Sequence, residues 1–180
     1  MRELVQRGRS EGLHLRGAVY ASLGTEVVLN RAFGEREPSA PMQTDTLLPW
    51  LSSGKPITAV AIGQLFERGL LDLDDLVATH ISKFAAHGKG GITIRHLLTH
   101  TGGFRMVRFR FPEDGWERII EKICAAKPEP RWTPGEKAGY HPHAGWLMLA
   151  AIVEKLSGEA FSRYVRGRIF EPCGMADSWI

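Results

Sequence analysis

The spacing of apolar residues changes along the chain, and each change predicts a different element. Residues 1–13 place apolar side chains among charges at helical spacing, which predicts a short amphipathic helix. From Gly17 to Gly34 the chain shows two short apolar runs separated by a turn near residues 24–26, the pattern of a β-hairpin. Residues 35–46 are polar and proline-rich and predict a loop. This part of the chain is therefore expected to contain one helix and one two-stranded sheet.

Beyond residue 50 the pattern is mostly helical. Apolar residues recur at helical spacing in several segments, each bounded by a glycine, a proline or a capping residue. The predicted helices cover residues 52–68, 94–100, 115–127, 144–156 and 161–170. Thr93 and Asp114 are the expected N-caps of the second and third of these helices. Irregular structure is predicted at residues 70–77, 104–114 and 128–142. The pattern as a whole predicts an α+β chain that is mostly helical, with an N-terminal β-hairpin.

Composition and charge exclude several classes of function. The 180 residues are 43% apolar and 24% charged, which is ordinary for a globular protein. The formal net charge is only +3 and no basic cluster is interleaved with aromatic residues, so nucleic acid is not an expected partner. No apolar run is long enough to span a membrane, and residues 1–7 lack the apolar core of a signal peptide. We therefore expect a cytoplasmic protein without a membrane span.

Ser52 and Lys55 are the first candidates for chemistry. Ser52 lies at the predicted start of a helix, where a capping residue is expected, and Lys55 follows one turn later on the same face. A hydroxyl needs an adjacent base to act as a nucleophile, and a neutral amine can be that base. The positive end of the helix would also stabilise an oxyanion formed after attack. Alone the pattern is weak, because a capping serine and a surface lysine have the same spacing.

Further segments strengthen this interpretation because they occur together in one order along the chain. These segments are residues 41–46, 71–75, 93–101 and 134–135, Tyr140, and residues 171–175. Residues 93–101, which read T-I-R-H-L-L-T-H-T, and the Leu-Asp-Leu-Asp-Asp run at 71–75 are far more specific than the serine–lysine pair. From about residue 12 to residue 180 the chain resembles the serine β-lactamase-related family, which includes class C-type β-lactamases, DD-peptidases and family VIII-like esterases. The resemblance implies the α+β fold of serine β-lactamases and DD-peptidases, in truncated form.

The resemblance also implies a role for three residues. Ser52 matches the acylated nucleophile and Lys55 matches its partner base. Tyr140 matches the tyrosine that moves a proton between the nucleophile and the leaving group, and a phenol near an amine is a reasonable relay. The implied activity is that of a serine hydrolase, which attacks a small-molecule ester or β-lactam carbonyl and passes through an acyl-enzyme. No metal or organic cofactor is implied.

The chain departs from the family pattern beside Tyr140. Where the family has Tyr-x-Asn or Tyr-x-Ser, this sequence has Tyr140-His141-Pro142, and proline has no side-chain donor for a substrate carbonyl. His141 and His143 are the candidate substrate-binding replacements, and simple exposure of both is the alternative. This departure weakens the expectation of β-lactam specificity more than the expectation of acyl transfer.

A second departure concerns the C-terminal part of the family fold. The family continues beyond the segment that matches residues 171–175, with helices and three strands that join the N-terminal hairpin. One of these strands carries a Lys-Thr-Gly or His-x-Gly motif and a second oxyanion donor. Residues 1–180 are therefore expected to be the N-terminal part of one hydrolase domain, and not to form a working enzyme alone. The open edge of the hairpin is then an expected site of association.

Other interpretations of the same residues stay open. A non-catalytic ligand-binding or assembly module that kept the fold would carry these segments, and so would an inert fragment. His96 and His100 have the spacing of zinc ligands on a helix, but no third ligand is placed and a structural role is simpler. The arginines at 105, 108 and 110 are interpreted as the solvated edge of a loop.

Overall fold

The computed structural model describes residues 2–180, with side chains from residue 3 onward. It divides into two compact units, Met1–Pro49 and Trp50–Ile180. This boundary lies where the hydrophobic pattern changes from mixed to helical. In the part of the chain that the structure describes, no helix is both long enough and apolar enough to cross a membrane.

The first unit contains one helix and two small antiparallel sheets. Its elements are α1 Arg2–Ser10, β1 Gly17–Leu23, β2 Glu26–Phe33, β3 Glu35–Glu37 and β4 Ala40–Pro41. Strands β1 and β2 form the predicted hairpin, in which Gly17 lies opposite Phe33. Gly24 occupies the turn with a φ of +60°, a conformation that glycine adopts without steric cost. The hairpin leaves four large apolar side chains exposed, those of Tyr20, Leu23, Val27 and Val28.

The second sheet contradicts the prediction of a loop over residues 35–46. Glu35 pairs with Pro41 and Glu37 pairs with Ala40, and Ser39 adopts a left-handed φ of +65° between the two strands. These strands have no apolar alternation, because they are short and mostly exposed, so the hydrophobic pattern carries no signal for them. A proline is tolerated here because each strand of a two-stranded sheet has a free edge.

The second unit is helical. It begins with a 3₁₀ turn, Leu51–Gly54, that leads directly into α2 Lys55–Glu67. The helices that follow are α3 Val77–His80, α4 Ile94–Leu98, α5 Trp116–Ala125, α6 Ala144–Ser157 and α7 Phe161–Val165. A 3₁₀ segment, Ser82–Gly88, lies between α3 and α4, and a π-helical turn, Arg166–Phe170, and a 3₁₀ turn, Glu171–Cys173, follow α7. The five predicted helices are all present, whereas α3 and Ser82–Gly88 were not predicted because each is too short for periodicity to be seen.

The core of the second unit forms around α6. This helix packs against α2, α4, α5 and α7, and the side chains of Met148, Leu149 and Ile152 are fully buried. Burial of each such side chain stabilises the fold by roughly 1.5–3 kcal/mol. Gly158 ends the helix with a φ of +72°, as the sequence predicted. Helix α2, which begins at Lys55 directly after the turn that contains Ser52, is thus held against a well-packed core.

Two helix ends differ from the predictions for local reasons. Asp114 does not cap α5: Gly115 occupies the N-cap position, and the Asp114 carboxylate instead accepts hydrogen bonds from the Arg110 backbone and from Lys122. The helix predicted over residues 161–170 loses α-helical form after Val165, where the π-helical turn begins. In contrast, Thr93 caps α4 as predicted.

Candidate active site

Ser52 lies in the turn that opens α2, directly after a residue in a costly conformation. Leu51 has a φ of +45°, and a left-handed conformation costs a non-glycine residue on the order of 1–2 kcal/mol. Such strain next to a candidate nucleophile is typical of functional sites. The predicted capping role of Ser52 is wrong. Trp50 is the N-cap of the 3₁₀ turn and Gly54 is the N-cap of α2, and neither N-cap makes a side-chain hydrogen bond.

Three polar groups converge at this turn. Ser52 Oγ lies 2.5 Å from Tyr140 Oη, and Lys55 Nζ donates hydrogen bonds to Ser52 Oγ at 3.2 Å and to Tyr140 Oη at 2.8 Å. Lys55 Nζ also lies 4.9 Å from the centroid of the Tyr140 ring. The structure therefore brings together the three residues that the sequence suggested as catalytic, although Lys55 and Tyr140 are 85 positions apart.

The electrostatics of this cluster favour proton transfer. The hydrogen bond from Lys55, and secondly the hydrogen bond with Ser52, lower the pKa of Tyr140 because both favour the phenolate. A lowered pKa increases the fraction of Tyr140 that is phenolate at neutral pH, and the phenolate is the form that can accept the proton of the Ser52 hydroxyl. Ser52 and Tyr140 are both exposed, so a ligand can reach the cluster from solvent.

Tyr140 is carried by a loop that is attached to the segment following α4. We call residues 129–141 the strap. The strap donates hydrogen bonds to the carbonyl groups of three residues in the segment following α4. Gly139 N donates to His100 O at 3.0 Å, Gly135 N and Trp132 Nε1 donate to Thr101 O at 3.3 and 2.9 Å, and Glu129 N donates to Gly103 O at 2.7 Å. These bonds explain how a proline-rich segment without helix or strand holds a side chain in a defined position.

His141 is part of this attachment. Its side chain is buried, and Nε2 accepts hydrogen bonds from the backbone N–H groups of Gly103 at 3.1 Å and Phe104 at 3.3 Å. Because Nε2 is an acceptor, Nδ1 carries the proton and donates a hydrogen bond of 2.6 Å to Gly139 O. Burial lowers the pKa of His141, which favours this neutral form. With both ring nitrogens engaged, His141 is suited to supporting the strap rather than to the predicted contact with substrate.

His143 lies in a different environment. It is exposed at the start of α6 and packs edge-on against Phe109, with ring centroids 5.9 Å apart. It therefore remains a candidate for contact with a ligand. The triplet His143-Ala144-Gly145 has the letters of the family's His-x-Gly motif, but it begins a helix and does not lie on a strand.

Arg105 has a structural partner that the sequence did not reveal. Its guanidinium donates hydrogen bonds of 2.8 and 2.6 Å to the two carboxylate oxygens of Glu129 and lies 5.1 Å from the centre of the Trp132 ring. The pair lowers the pKa of Glu129 to about 2. The interpretation of Arg105 as a solvated loop edge is therefore wrong, whereas Arg108 and Arg110 are exposed as expected. Periodicity gives no signal for this pair, because both residues lie in irregular segments.

The two histidines with zinc-ligand spacing are engaged in hydrogen bonds. His96 Nδ1 accepts a hydrogen bond from the Thr93 backbone, and the Thr93 hydroxyl accepts one from the His96 backbone, both at 3.2 Å. His100 Nδ1 accepts from the His141 backbone at 3.0 Å. Across residues 2–180, no group of three or more His, Cys, Asp or Glu side chains is arranged to hold a metal ion.

The fold and this cluster together define the class of protein, that of serine β-lactamases and penicillin-binding proteins. The chain belongs to the Beta-lactamase family, which matches residues 1–180. It is 30% identical over 171 residues to a penicillin-binding protein of Bacillus subtilis (strain 168), covering 90% of this chain and 37% of that protein. It is 30% identical over 170 residues to Esterase EstB of Burkholderia gladioli, covering 84% of this chain and 43% of the esterase.

A solved structure shows the same fold. The crystal structure of a penicillin-binding protein homologue from Caulobacter crescentus superposes with a TM-score of 0.81 at 27% identity, covering 96% of this chain and 47% of that one. The chain therefore spans less than half the length of each of these three relatives. The predicted family and fold class are confirmed.

Proposed function

We propose that Ser52 is the nucleophile of a serine hydrolase that works through an acyl-enzyme. The observation that carries the proposal is the contact of Ser52 Oγ with both Lys55 Nζ and Tyr140 Oη. A nucleophilic hydroxyl needs a base within hydrogen-bond reach, and here two candidate bases meet that condition. The membership of the Beta-lactamase family supports the same class of chemistry.

The proposed reaction begins with attack by Ser52 Oγ on the carbonyl carbon of the substrate. As this bond forms, the hydroxyl proton passes to the Tyr140–Lys55 pair and the carbonyl π electrons move to oxygen. The backbone N–H of Ser52 and the positive end of the turn stabilise that oxyanion. The oxyanion then re-forms the carbonyl and expels the leaving group, which takes the proton from the relay. Water, deprotonated by the same relay, attacks the acyl-Ser52 ester, and its collapse releases the acid and restores Ser52.

We further propose that short-chain esters are better substrates than β-lactams. Pro142 stands where the family has an amide or hydroxyl donor, and His141, the neighbouring polar residue, has both ring nitrogens engaged within the protein. A site that lacks a donor for the substrate amide loses more with a β-lactam than with a simple ester. We expect a higher kcat/KM for p-nitrophenyl acetate than for nitrocefin, and faster turnover of nitrocefin would refute this preference.

We propose that residues 1–180 form the N-terminal part of a single hydrolase domain. Support comes from the relatives, of which this chain covers 37–47%. One oxyanion donor is worth roughly 10²–10³ in rate, so these residues alone are expected to turn over esters far more slowly than a complete relative. Purified residues 1–180 that hydrolyse esters at the rate of such a relative would show that the proposal is wrong.

The nucleophile is tested by covalent labelling. The full gene product is treated with a fluorophosphonate, digested and analysed by mass spectrometry, and the adduct is expected on Ser52. Ser53→Ala is the matched control, because Ser53 is the neighbouring exposed serine and should not be needed for labelling. Folded protein that takes no label on Ser52 would instead favour a non-catalytic binding module.

A further inference from the structure

His100 belongs to the segment after α4, and it contacts the strap on both sides of Tyr140. Its carbonyl oxygen accepts a hydrogen bond from Gly139 N at 3.0 Å, and its Nδ1 accepts one from His141 N at 3.0 Å. Gly139 and His141 are the residues directly before and after Tyr140. The two backbone N–H groups that flank the candidate relay residue are therefore both held by a single residue.

The conformation of His100 makes this double contact possible. Its φ of +60° is left-handed, a region in which histidine is more frequent than most other non-glycine residues. The imidazole packs against the Tyr140 ring, with centroids 5.0 Å apart, and against Trp146, at 5.5 Å. The ring is therefore fixed between the strap and α6, with Nδ1 directed at the strap backbone.

The hydrogen bond from His141 N also fixes the protonation of His100. A backbone N–H can only donate, so Nδ1 is unprotonated and the neutral ring carries its proton on Nε2. Burial, and secondly the charge of Lys55, lower the pKa of His100, which favours the neutral ring. An imidazolium would place a proton on Nδ1 and break the bond to the strap.

We propose that His100 is a positioning residue for Tyr140: by holding the N–H groups of Gly139 and His141, it sets the distance of the phenol from Lys55 and Ser52. This inference rests on the proposed function only for its effect on rate, because the position of the phenol can be measured without turnover. The 2.8 Å contact between Lys55 Nζ and Tyr140 Oη depends on a loop, and a displacement of about 1 Å at a reacting group can cost roughly 10² in rate.

Two substitutions distinguish the effect of the His100 ring from the effect of its left-handed backbone conformation. His100→Gly keeps the left-handed backbone and the carbonyl acceptor but removes Nδ1. His100→Asn also tolerates the left-handed conformation, and its Oδ1 replaces Nδ1 as an acceptor. The first variant is expected to release one side of the strap, and the second is expected to restore the contact.

The first measurement is the pKa of Tyr140, from ultraviolet titration of tyrosinate in the full gene product. Other tyrosines, including Tyr20 and Tyr164, also titrate, so a Tyr140→Phe background is subtracted from each titration. The lowered pKa of Tyr140 depends chiefly on Lys55, so His100→Gly should raise it toward the ordinary value of about 10 and His100→Asn should leave it unchanged. A purely structural role for His100 would lower the melting temperature without moving this pKa.

The second measurement is kinetic. His100→Gly is expected to lower kcat by roughly 10- to 100-fold with little change in KM, and His100→Asn is expected to recover most of the loss. If the wild-type protein proves inactive, the proposed function fails, but the Tyr140 titration still decides the positioning role.

Three results would overturn the proposal. One is a folded His100→Gly protein in which Tyr140 titrates as in wild type. Another is a His100→Asn protein in which the pKa of Tyr140 rises. The third is independent of any variant: long-range ¹H–¹⁵N correlation spectra of the wild type that place the imidazole proton of His100 on Nδ1, where the proposal requires it on Nε2.

Discussion

The two sides of the candidate site are built by opposite means. Ser52 and Lys55 lie on continuous helical structure whose buried face includes Ala61, Ile62 and Leu65. Tyr140 lies on the strap, which has no regular structure and depends on hydrogen bonds to residues 100–105. On the helical side, three-residue spacing alone brings the side chains together. On the strap side, position depends on contacts that are distant in sequence, so substitutions far from Tyr140 can displace it.

The largest expected effects come from the helical side. Ser52→Ala should lower kcat for p-nitrophenyl acetate by at least about 10³-fold, because it removes the proposed nucleophilic hydroxyl. Lys55→Ala should be nearly as damaging, since Lys55 contacts both Ser52 and Tyr140. Kinetic assays and urea unfolding should show a loss of activity with little loss of stability. Activity of Ser52→Ala within tenfold of the parent, with Ser53→Ala as control, would remove Ser52 from the mechanism.

The position of the strap should be most sensitive to substitution of Gly103, which lies against Trp132. Gly103 has a φ of +76°, and a Cβ at this position would lie 2.2 Å from the Trp132 ring. We expect Gly103→Ala to cost about 1–3 kcal/mol of stability and to reduce activity, because Trp132 and the strap must move. Urea unfolding and ester hydrolysis measure the two effects. Gly91→Ala is the matched control, since a Cβ there meets no atom within 4 Å; equal behaviour of the two variants would contradict the described contact.

The ion pair at the start of the strap should give a pH-dependent effect. Glu129 has a folded-state pKa of about 2, below its usual 4.5, so its contribution to stability is present above pH 4.5 and is lost as the pH falls toward 2. Because both partners are partly exposed, we expect Glu129→Gln to cost only about 0.5–1 kcal/mol at neutral pH. Urea unfolding at several pH values should show this difference shrink on acidification.

Glu136→Gln provides the control for this experiment, because Glu136 is an exposed glutamate of the same strap. Its substitution should leave the free energy of unfolding nearly unchanged. A Glu129→Gln effect that stays constant down to about pH 2 would mean that the carboxylate is not responsible.

The smallest expected effect is a gain in stability. Gly63 lies inside α2, where an added Cβ meets no atom within 4 Å, and alanine favours a helix over glycine. Gly63→Ala should therefore raise the free energy of unfolding by about 0.5–1 kcal/mol, and it should leave the pKa of Tyr140 unchanged. Destabilisation by this variant would show that α2 is packed more tightly than the structure indicates.

The contrast between the helical side of the site and the strap also explains which residues the sequence could predict. Ser52 and Lys55 were found from spacing, because a helix fixes the geometry of residues three apart. Tyr140 was found only through resemblance, since residues 128–142 have no periodicity. The partners of the strap, Arg105 and His100, were missed because their contacts join segments about 24–41 positions apart. The segment that contains His100 was recognised as specific, but nothing in its pattern indicated which atoms it binds.

Between Gly135 and Gly139 the strap is attached through backbone atoms, and this has a consequence for sequence variation. Residues 136–138 are exposed, and the hydrogen bonds of the neighbouring Gly135 and Gly139 use main-chain groups that every residue except proline possesses. Lys137 Nζ lies 5.1 Å from the centre of the Trp132 ring, so the side chains at 136 and 138 are the ones that can change in size and charge while Tyr140 keeps its place. A library randomised at positions 136 and 138 would vary the surface near the site separately from the catalytic geometry, which makes the strap a suitable place to begin directed evolution of substrate range.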